Sequence, residues 1–279
     1  MGKNFAKVND IKICYEIKGV GEPLLLVHGF GSEKESWNAQ FEPLSKYFKV
    51  IRFDNRGAGE TDRPNEPYLM ETFADDTAGL LDHLKIEKTH IVGWSLGGMI
   101  VQQFAIKYPE RIRKIVLINT LPQWPGEEKG LEMYKKNQID GYHKKMEDPK
   151  KAFFDGAKLN YSRKFRKKME ENPEKVFHGL FSAQDLIDIS VLHPATPQDI
   201  KNQAHALGKY DVLGQLSEIE NETLIIAAEK DRITPLTMNK VIHKQIPNSK
   251  LIVIEKVGHG SPREKAPTVN QYIIDFLKK

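Results

Sequence analysis

Three residues of this sequence could together carry out nucleophilic catalysis: Ser95, Asp231 and His259. Each follows a short apolar run of the kind that forms a buried strand of a parallel sheet. A serine hydroxyl is a poor nucleophile at neutral pH, and it needs an adjacent base that takes its proton during attack. An imidazole can be that base, and a carboxylate can hold its other ring N–H. These residue types predict acyl transfer, provided that the fold brings the three strand ends together.

The segment around the serine is the most specific of the three. It reads Gly93-Trp-Ser-Leu-Gly97, with a strand pattern before it and a helix pattern after it. A Gly-x-Ser-x-Gly stretch in this context makes a tight turn that holds the serine in a strained, exposed conformation. The flanking glycines have no Cβ that would clash in such a turn. A plain glycine-serine turn in a parallel sheet would explain this pentapeptide alone, but not the other two segments.

The candidate base and acid come from the last strands of the chain. His259 is the candidate base because it directly follows the last strand pattern. Asp231 is the candidate acid, and Glu229 is its rival because periodicity at this short strand end does not separate the two. Asp231 is favoured since it lies past the strand, before a turn that leads into a new helix. Capping of that helix or turn is the alternative role for Asp231.

The reaction also needs two backbone donors for the oxyanion that forms during attack. One candidate is the N–H of Leu96, directly after the serine. The other is the N–H of Phe30, in the loop His28-Gly-Phe-Gly31 that follows the apolar run from Leu24 to Val27. The neighbouring glycines allow this backbone to turn toward the site. A glycine-rich strand exit without chemistry is the alternative interpretation of this loop.

With these residues in view, the chain resembles the α/β-hydrolases of the esterase, enol-lactonase and perhydrolase group. The order serine, acid, histidine is that of an α/β-hydrolase and differs from the orders in chymotrypsin and subtilisin. The resemblance runs from about residue 5 to the end of the chain. It implies that Ser95 is the nucleophile, Asp231 the acid and His259 the base. The matching segments are His28 to Gly31, Asp54 to Thr61, Gly93 to Gly98, Glu229 to Pro235, and Gly258-His259 with Glu264.

The resemblance and the element pattern together predict the architecture. We expect a mostly parallel eight-stranded sheet with helices on both faces and a helical lid insertion. Residues 1–120 and 206–279 would form the core, and residues 121–205, where the alternation of strands and helices stops, would form the lid. Residues 5–18 alternate in polarity and predict a hairpin at the sheet edge. The basic run Arg163 to Lys168 is interpreted as a solvated helix face because glutamates follow it at once.

Departures from the family pattern narrow the chemistry. A His-Gly-Gly-Pro-Gly loop, expected of proline iminopeptidases, is absent from the sequence. Dehalogenases and epoxide hydrolases of this fold use an aspartate nucleophile, where this chain has Ser95. Thr61 and Glu222 stand where the family often has serine and proline, and we interpret both as structural variants. The missing loop and the serine nucleophile disfavour proline iminopeptidase, dehalogenase and epoxide hydrolase chemistry.

Composition excludes several further classes. The chain has 279 residues, 39% hydrophobic and 29% charged, which is ordinary for a globular protein with a core. A net charge of +4 does not indicate a nucleic-acid partner. The single Cys14 is interpreted as a small core residue, so no disulfide within the chain is expected, which suits the cytoplasm. The longest apolar stretch, Ile91 to Ile106, is interrupted by polar residues, so we expect no membrane span.

The sequence therefore predicts a serine hydrolase that acts on a small carboxylic ester or lactone and needs no metal or organic cofactor. Hydrolysis of a carbon–carbon bond, perhydrolysis with peroxide, and a slow-turnover ligand sensor that retains the triad stay open as alternatives. The oligomeric state, monomer or homodimer, is left open. Aromatic residues suggest an apolar pocket, although core packing explains each of them equally well. These candidates are Trp94, Trp124, Phe153, Phe154, Phe177 and Phe181.

Overall fold

A single eight-stranded sheet forms the centre of the protein, in a computed structural model that describes residues 2–279. The strand order is β1-β2-β4-β3-β5-β6-β7-β8, and every neighbouring pair from β4 to β8 is parallel. This arrangement confirms the predicted fold class. The strands are β1 (Asn4–Val8), β2 (Ile11–Lys18), β3 (Pro23–Val27), β4 (Lys49–Phe53), β5 (Thr89–Trp94), β6 (Ile112–Ile118), β7 (Thr223–Ala228) and β8 (Ser249–Ile254).

Helices cover both faces of the sheet. One face packs against α2, α3 and α9, and the other face packs against α1 and α11. Strands β3, β5 and β7 are covered on both sides, which is why their sequences are continuous apolar runs rather than alternating ones. The helices are α1 (Asn38–Ser45), α2 (Met70–His83), α3 (Leu96–Lys107), α4 (Glu128–Glu147), α5 (Pro149–Asn160), α6 (Arg163–Glu171), α7 (Ala183–Leu192), α8 (Pro197–Lys209), α9 (Leu236–Gln245), α10 (Ser261–Glu264) and α11 (Ala266–Leu277).

The edge of the sheet is an antiparallel hairpin, as the alternating residues 5–18 predict. Strand β1 pairs with β2 from Asn4 opposite Tyr15 to Val8 opposite Ile11. Strand β2 then pairs antiparallel with β4 and joins the hairpin to the parallel part. Cys14 lies in β2 and is fully buried. The hairpin therefore closes one side of the core, and its strand β2 also holds the loop after β4, because the Asp54 N–H donates to the Cys14 carbonyl at 3.0 Å.

The chain between β6 and β7 leaves the sheet and forms helices α4 to α8. This helical segment has an apolar cluster of its own and two capping boxes, Ser182 with Asp185 and Thr196 with Asp199. The expected lid boundary at residue 205 falls inside α8, which continues to Lys209 because Ala206 and Leu207 are buried against the core. The role of this segment as a lid stays a prediction. Among the helices of residues 2–279, none has the length and apolar composition that crossing a membrane requires.

Buried ion pairs hold the loops that follow β3 and β4. The ammonium of Lys34 is fully buried and lies 3.0 Å from a carboxylate oxygen of Asp54. The backbone N–H of Lys34 donates to the same carboxylate at 2.7 Å. Arg56 is likewise buried and pairs with Asp76 at 2.6 Å. Removing one partner of such a pair leaves an uncompensated buried charge. These contacts fix the loop that carries Phe30.

Candidate active site

Ser95 occupies the turn between β5 and α3 in a conformation that serine adopts rarely. Its backbone has φ 59° and ψ −122°. Non-glycine residues with positive φ are uncommon, and strain of this kind persists when the surroundings over-determine the backbone. Here the Ser95 N–H donates to the carbonyl of Ile118 at 3.0 Å, and the Thr120 hydroxyl donates to the Ser95 carbonyl at 2.8 Å. The end of β6 therefore holds the turn in place.

Glycines around this turn are required by close backbone contacts. A Cβ on Gly97 would lie 2.0 Å from the carbonyl oxygen of Val27, and one on Gly93 would lie 2.3 Å from that of Gly97. A Cβ on Gly29 would lie 3.2 Å from the Ser95 Cβ. The loop after β3 therefore passes directly beside the serine, as the sequence predicts.

Asp231 and His259 are hydrogen-bonded to each other at the ends of β7 and β8. The distance from His259 Nδ1 to Asp231 Oδ2 is 2.7 Å, and both residues are buried. Asp231 also accepts from the N–H groups of Ile233 and Thr234, at 2.8 and 2.9 Å, and from the Thr234 hydroxyl at 2.7 Å. Burial alone would raise the pKa of the Asp231 carboxyl, but these hydrogen bonds hold the pKa below its usual value. The carboxylate is therefore ionised at neutral pH and leaves Nε2 of His259 as the ring's other reactive atom.

Two positioning residues of this site were not found by sequence analysis. Asn119 follows β6, and its side-chain amide donates to the His259 carbonyl at 2.9 Å while its oxygen accepts from the Ala228 N–H at 2.8 Å. Asn119 thereby joins the ends of β6, β7 and β8. The hydroxyl of Thr234 lies between Asp231 and the His259 ring, 3.3 Å from Nδ1. Its position in the sequence could have identified Asn119, because it directly follows a buried strand and so lies at the same edge of the sheet as Ser95.

Two backbone N–H groups lie near the serine, that of Phe30 in the loop after β3 and that of Leu96 at the start of α3. Neither the Phe30 nor the Leu96 N–H donates to another group of residues 2–279. His28 joins the loop after β3 to the loop after β4, because its Nε2 accepts from the Asn55 N–H at 3.0 Å. Its Nδ1 therefore carries the proton and donates to the Gly29 carbonyl at 2.9 Å. Burial lowers the pKa of His28, which keeps this ring neutral.

A cavity of about 320 Å³ opens beside Ser95. This size falls at the lower end of small-molecule sites. Its walls come from the core and from the helical segment, and they are mostly apolar, with amides at Asn137 and Gln138 and a guanidinium at Arg232. The remaining lining residues are Phe30, Leu96, Met99, Leu121, Trp124, Pro125, Tyr134, Leu159, Leu207, Ile233 and Thr234.

The aromatic candidates separate into two groups. Trp124 lines the cavity beside Ser95. The other candidates do not line it: Trp94 belongs to β5 and packs on the opposite face of the sheet, against Trp37. Phe153 and Phe154 pack against the apolar cluster of the helical segment, and Phe177 and Phe181 belong to that cluster. These five residues therefore do not line the cavity beside Ser95: Trp94 packs in the core of the sheet, and the four phenylalanines pack in the apolar cluster that an all-helical segment must bury.

Glu229, the rival of Asp231, faces away from the histidine. Its carboxylate accepts from the Lys256 N–H at 2.8 Å and pairs with the Lys230 ammonium at 2.8 Å. The structure therefore brings Asp231, and not Glu229, to His259.

The fold and these side chains define a class of protein. Its members have a mostly parallel sheet with helices on both faces, and a strained serine turn and an acid–histidine pair at the carboxyl ends of the strands. Residues 22–266 match the family described as the alpha/beta hydrolase fold. The match covers most of the chain, so the protein belongs to this family.

Similar proteins of known structure or curated sequence carry several activities in their names. A bromoperoxidase from Bacillus anthracis is 28% identical, with a TM-score of 0.83 and full coverage of both chains. A thermophilic esterase from Thermogutta terrifontis is 26% identical, with a TM-score of 0.82 and coverage of 100% of this chain and 98% of that one. A putative non-heme chloroperoxidase from Synechocystis is 29% identical in an alignment 285 residues long, and this alignment covers 96% of this chain and 95% of the relative. Family membership supports hydrolase chemistry, and the substrate has to be argued from this chain's own residues.

Proposed function

We propose that this protein is a serine hydrolase that cleaves a carboxylic ester or lactone through an acyl-enzyme on Ser95. The observation that carries the proposal is the 2.7 Å hydrogen bond between Asp231 and His259, at the sheet edge where Ser95 lines an apolar cavity. In this proposal His259 Nε2 takes the Ser95 proton as Oγ bonds to the carbonyl carbon. Asp231 holds the Nδ1 proton and stabilises the imidazolium.

The developing oxyanion would be bound by the N–H groups of Phe30 and Leu96, which have no other partner in the described chain. The imidazolium then gives its proton to the departing alkoxide, which leaves as the alcohol. A water attacks the acyl group, gives its proton to His259, and releases the acid while Ser95 is restored. We also propose that the helical segment acts as a lid, because Tyr134, Leu159 and Leu207 of this segment cover the cavity.

A panel of p-nitrophenyl esters and of lactones, with graded acyl length, tests this proposal. We expect multiple turnovers on short or medium acyl groups, because the cavity of about 320 Å³ is small. Labelling by a fluorophosphonate probe should occur at Ser95. Turnover without labelling of Ser95, or labelling without any ester or lactone turnover, would refute the proposed reaction.

Perhydrolysis is a second candidate, since two of the similar proteins are named as haloperoxidases. The same acyl-enzyme would be attacked by hydrogen peroxide in place of water and would release a peracid. Peracid formation from acetate and peroxide, measured beside ester hydrolysis, separates the two activities. A rate of peracid formation well above the hydrolysis rate would make perhydrolysis the main function.

A further inference from the structure

A groove lined by six basic side chains runs along the outer edge of the catalytic cavity. It has a volume of about 550 Å³ and lies between the end of α5, the start of α6 and the loops after β7 and β8. Within residues 2–279, no acidic side chain lines it. The basic residues are Lys158, Arg163, Arg166, Lys230, Arg232 and Lys256.

This basic groove adjoins the cavity beside Ser95. Leu159 and Arg232 line both spaces. The groove also includes Gly258, directly before His259. A substrate whose reacting carbonyl lies at Ser95 would reach the groove by extending past Leu159 and Arg232.

Most of these cations are not neutralised by the protein. Lys158 pairs with Asp155, and Lys230 pairs with Glu229. The side chains of the other four make no ion pair with any carboxylate in the described part of the chain; these are Arg163, Arg166, Arg232 and Lys256. The nearby Glu264 carboxylate is turned to Ser162, accepting from its N–H at 2.8 Å and from its hydroxyl at 2.5 Å.

One of the groove's arginines also has an unused buried donor. The Nε of Arg166 is shielded from solvent and has no hydrogen-bond partner among residues 2–279. A buried N–H without a partner costs free energy, and an acceptor from outside the chain, such as an oxygen of an anion or of a water, would remove that cost. Guanidinium groups bind oxyanions through paired N–H···O bonds, and phosphate is among their preferred partners.

The number of unpaired cations decides which anion fits. A carboxylate brings a single negative charge and two acceptor oxygens, and it compensates fewer of the four cations than a phosphate does. A phosphate monoester brings a charge of about −1.5 to −2 at neutral pH and three acceptor oxygens. We propose that the groove binds a phosphate group of the substrate, so that the substrate is an acyl ester of a phosphorylated alcohol. The acyl chain would then lie in the apolar cavity, and the phosphorylated alcohol would leave along the groove. This inference rests on the proposed ester hydrolysis.

Three esters that share the same butyryl group and differ in the charge of the alcohol part test the inference. They are 4-butyryloxyphenyl phosphate, the singly charged 4-butyryloxybenzoate, and the neutral 4-methoxyphenyl butyrate. The measured quantity is the ratio of kcat/KM for each anionic ester to that for the neutral ester. Because the substituents also change the reactivity of the phenol, the decisive result is how this ratio changes between variants. We expect added salt of roughly 1 M to reduce the phosphate ratio, since it screens exposed charges.

The chain offers matched variants on one helix. Arg163→Gln with Arg166→Gln removes two charges inside the groove, and Lys164→Gln with Lys168→Gln removes two exposed charges of α6 that do not line it. We expect the ratio of kcat/KM for the phosphate ester to that for the neutral ester to fall about tenfold in the double arginine variant. In the double lysine variant this ratio should stay at the parental value. Lys256→Gln, with Lys250→Gln as its control, repeats the comparison at exposed positions of another element, in case the arginine pair folds poorly.

Failure of the inference and failure of the proposed reaction are distinguishable. No hydrolysis of the neutral ester by the parent refutes the proposed reaction. In that case, calorimetric titration of Ser95→Ala with phenyl phosphate still tests the groove, and binding that the arginine pair abolishes supports it. Equal loss in the control pair, or equal ratios for phosphate and carboxylate esters, overturns the inference. Groove-dependent binding to vesicles of anionic phospholipid, without a change in the ester ratios, also overturns it, because the groove would then contact a membrane surface.

Discussion

Ser95 combines a strained backbone with a side chain that lines the cavity, and this combination is expected where a nucleophile is presented. Ser95→Ala removes a hydroxyl and no contact that holds the turn, since the bonds to Ile118 and Thr120 use backbone atoms. We expect the fold to persist while kcat for ester hydrolysis falls by as much as about 10⁶-fold, the size of the loss in a serine protease. Circular dichroism and steady-state kinetics check both parts. Activity within about tenfold of the parent would show that Ser95 is not the nucleophile.

The two carboxylates near His259 give a matched pair of variants. Asp231→Asn keeps the shape of the side chain but removes the charge that stabilises the imidazolium, and an amide can hold the ring in the wrong tautomer. We expect kcat to fall by about 10⁴-fold, as in the analogous serine protease variant. Glu229→Gln should have a mild effect, because Glu229 contacts Lys230 and Lys256 instead of the histidine. Greater loss in Glu229→Gln would assign the acid to Glu229.

Glu33 predicts a pH dependence of stability. Burial, together with the neighbouring carboxylates of Glu35 and Asp54, raises the pKa of Glu33 from 4.5 to about 8, although Lys34 and Lys145 oppose the shift. Between these two values the folded chain holds a proton that the unfolded chain has lost. The free energy of unfolding therefore falls as the pH rises from about 4.5 to about 8. Below about pH 4.5 both states are protonated, and this loss of stability is absent.

Glu33→Gln removes this titration while keeping the size of the side chain. We expect its Tm to exceed the parental Tm by on the order of 2 °C or more at about pH 9, and the difference to shrink toward about pH 4. Thermal unfolding of both proteins across this range measures the effect. A difference in Tm that is constant with pH would mean that folding does not shift the pKa of Glu33.

At the scale of elements, the contact between β3 and the start of α3 should be sensitive to a single methyl group. Gly97→Ala would place a Cβ 2.0 Å from the backbone carbonyl oxygen of Val27, and both residues are buried. We expect a loss of roughly 1–3 kcal/mol or more in the free energy of unfolding, because neither the strand nor the helix can withdraw. Gly141→Ala in α4 is the control, since a Cβ there meets nothing within 4 Å.

The control should have the opposite sign. An exposed glycine inside a helix costs about 1 kcal/mol relative to alanine, so Gly141→Ala should stabilise the protein. Chemical denaturation of the two variants measures both effects. Destabilisation of similar size in both would show that the close approach at Gly97 is relieved by local movement.

Elements whose sequence pattern is local could be predicted well. The apolar run from Leu24 to Val27 predicts a strand, and the structure has β3 there, because a strand buried on both faces needs a continuous apolar run. The Ser95 turn was predictable because its geometry requires glycine at nearby positions. For Phe177 and Phe181 the sequence suggested a pocket and left core packing equally open, because periodicity reports that a side chain is buried and not what it is buried against.

Features that join distant segments could not be predicted from sequence. The basic groove brings residues 158–166 together with residues 230–258, and the interpretation of Arg163 to Lys168 as a plain solvated face treated all six residues alike. In the structure Arg163 and Arg166 line the groove, Phe165 is buried, and Lys164 and Lys168 are exposed elsewhere on α6. Asn119 was missed for the same reason, since its partners Ala228 and His259 lie more than a hundred positions along the chain.

At the scale of the whole molecule, Gln203 connects the helical segment to the proposed oxyanion loop. This buried residue of α8 accepts from the Gly31 N–H at 2.9 Å and donates to the Gly57 carbonyl at 3.1 Å. Gly31 directly follows Phe30, so Gln203 restrains the peptide next to the one whose N–H we assign to the oxyanion. Removing one oxyanion donor costs about 10²–10³ in kcat, and a donor that is merely misplaced should cost less.

We therefore expect Gln203→Ala to lower kcat for a neutral ester by roughly tenfold with a small change in KM, because the lost restraint acts on the transition state more than on ground-state binding. Gln198→Ala is the matched control: Gln198 lies on the same helix, is exposed, and bonds within the helix to Asn202. Rates are normalised to the fraction of protein labelled by fluorophosphonate and measured well below both Tm values, so that partial unfolding does not contribute. A lower Tm with an unchanged normalised kcat would mean that Gln203 stabilises the junction between α8 and the core without positioning Phe30.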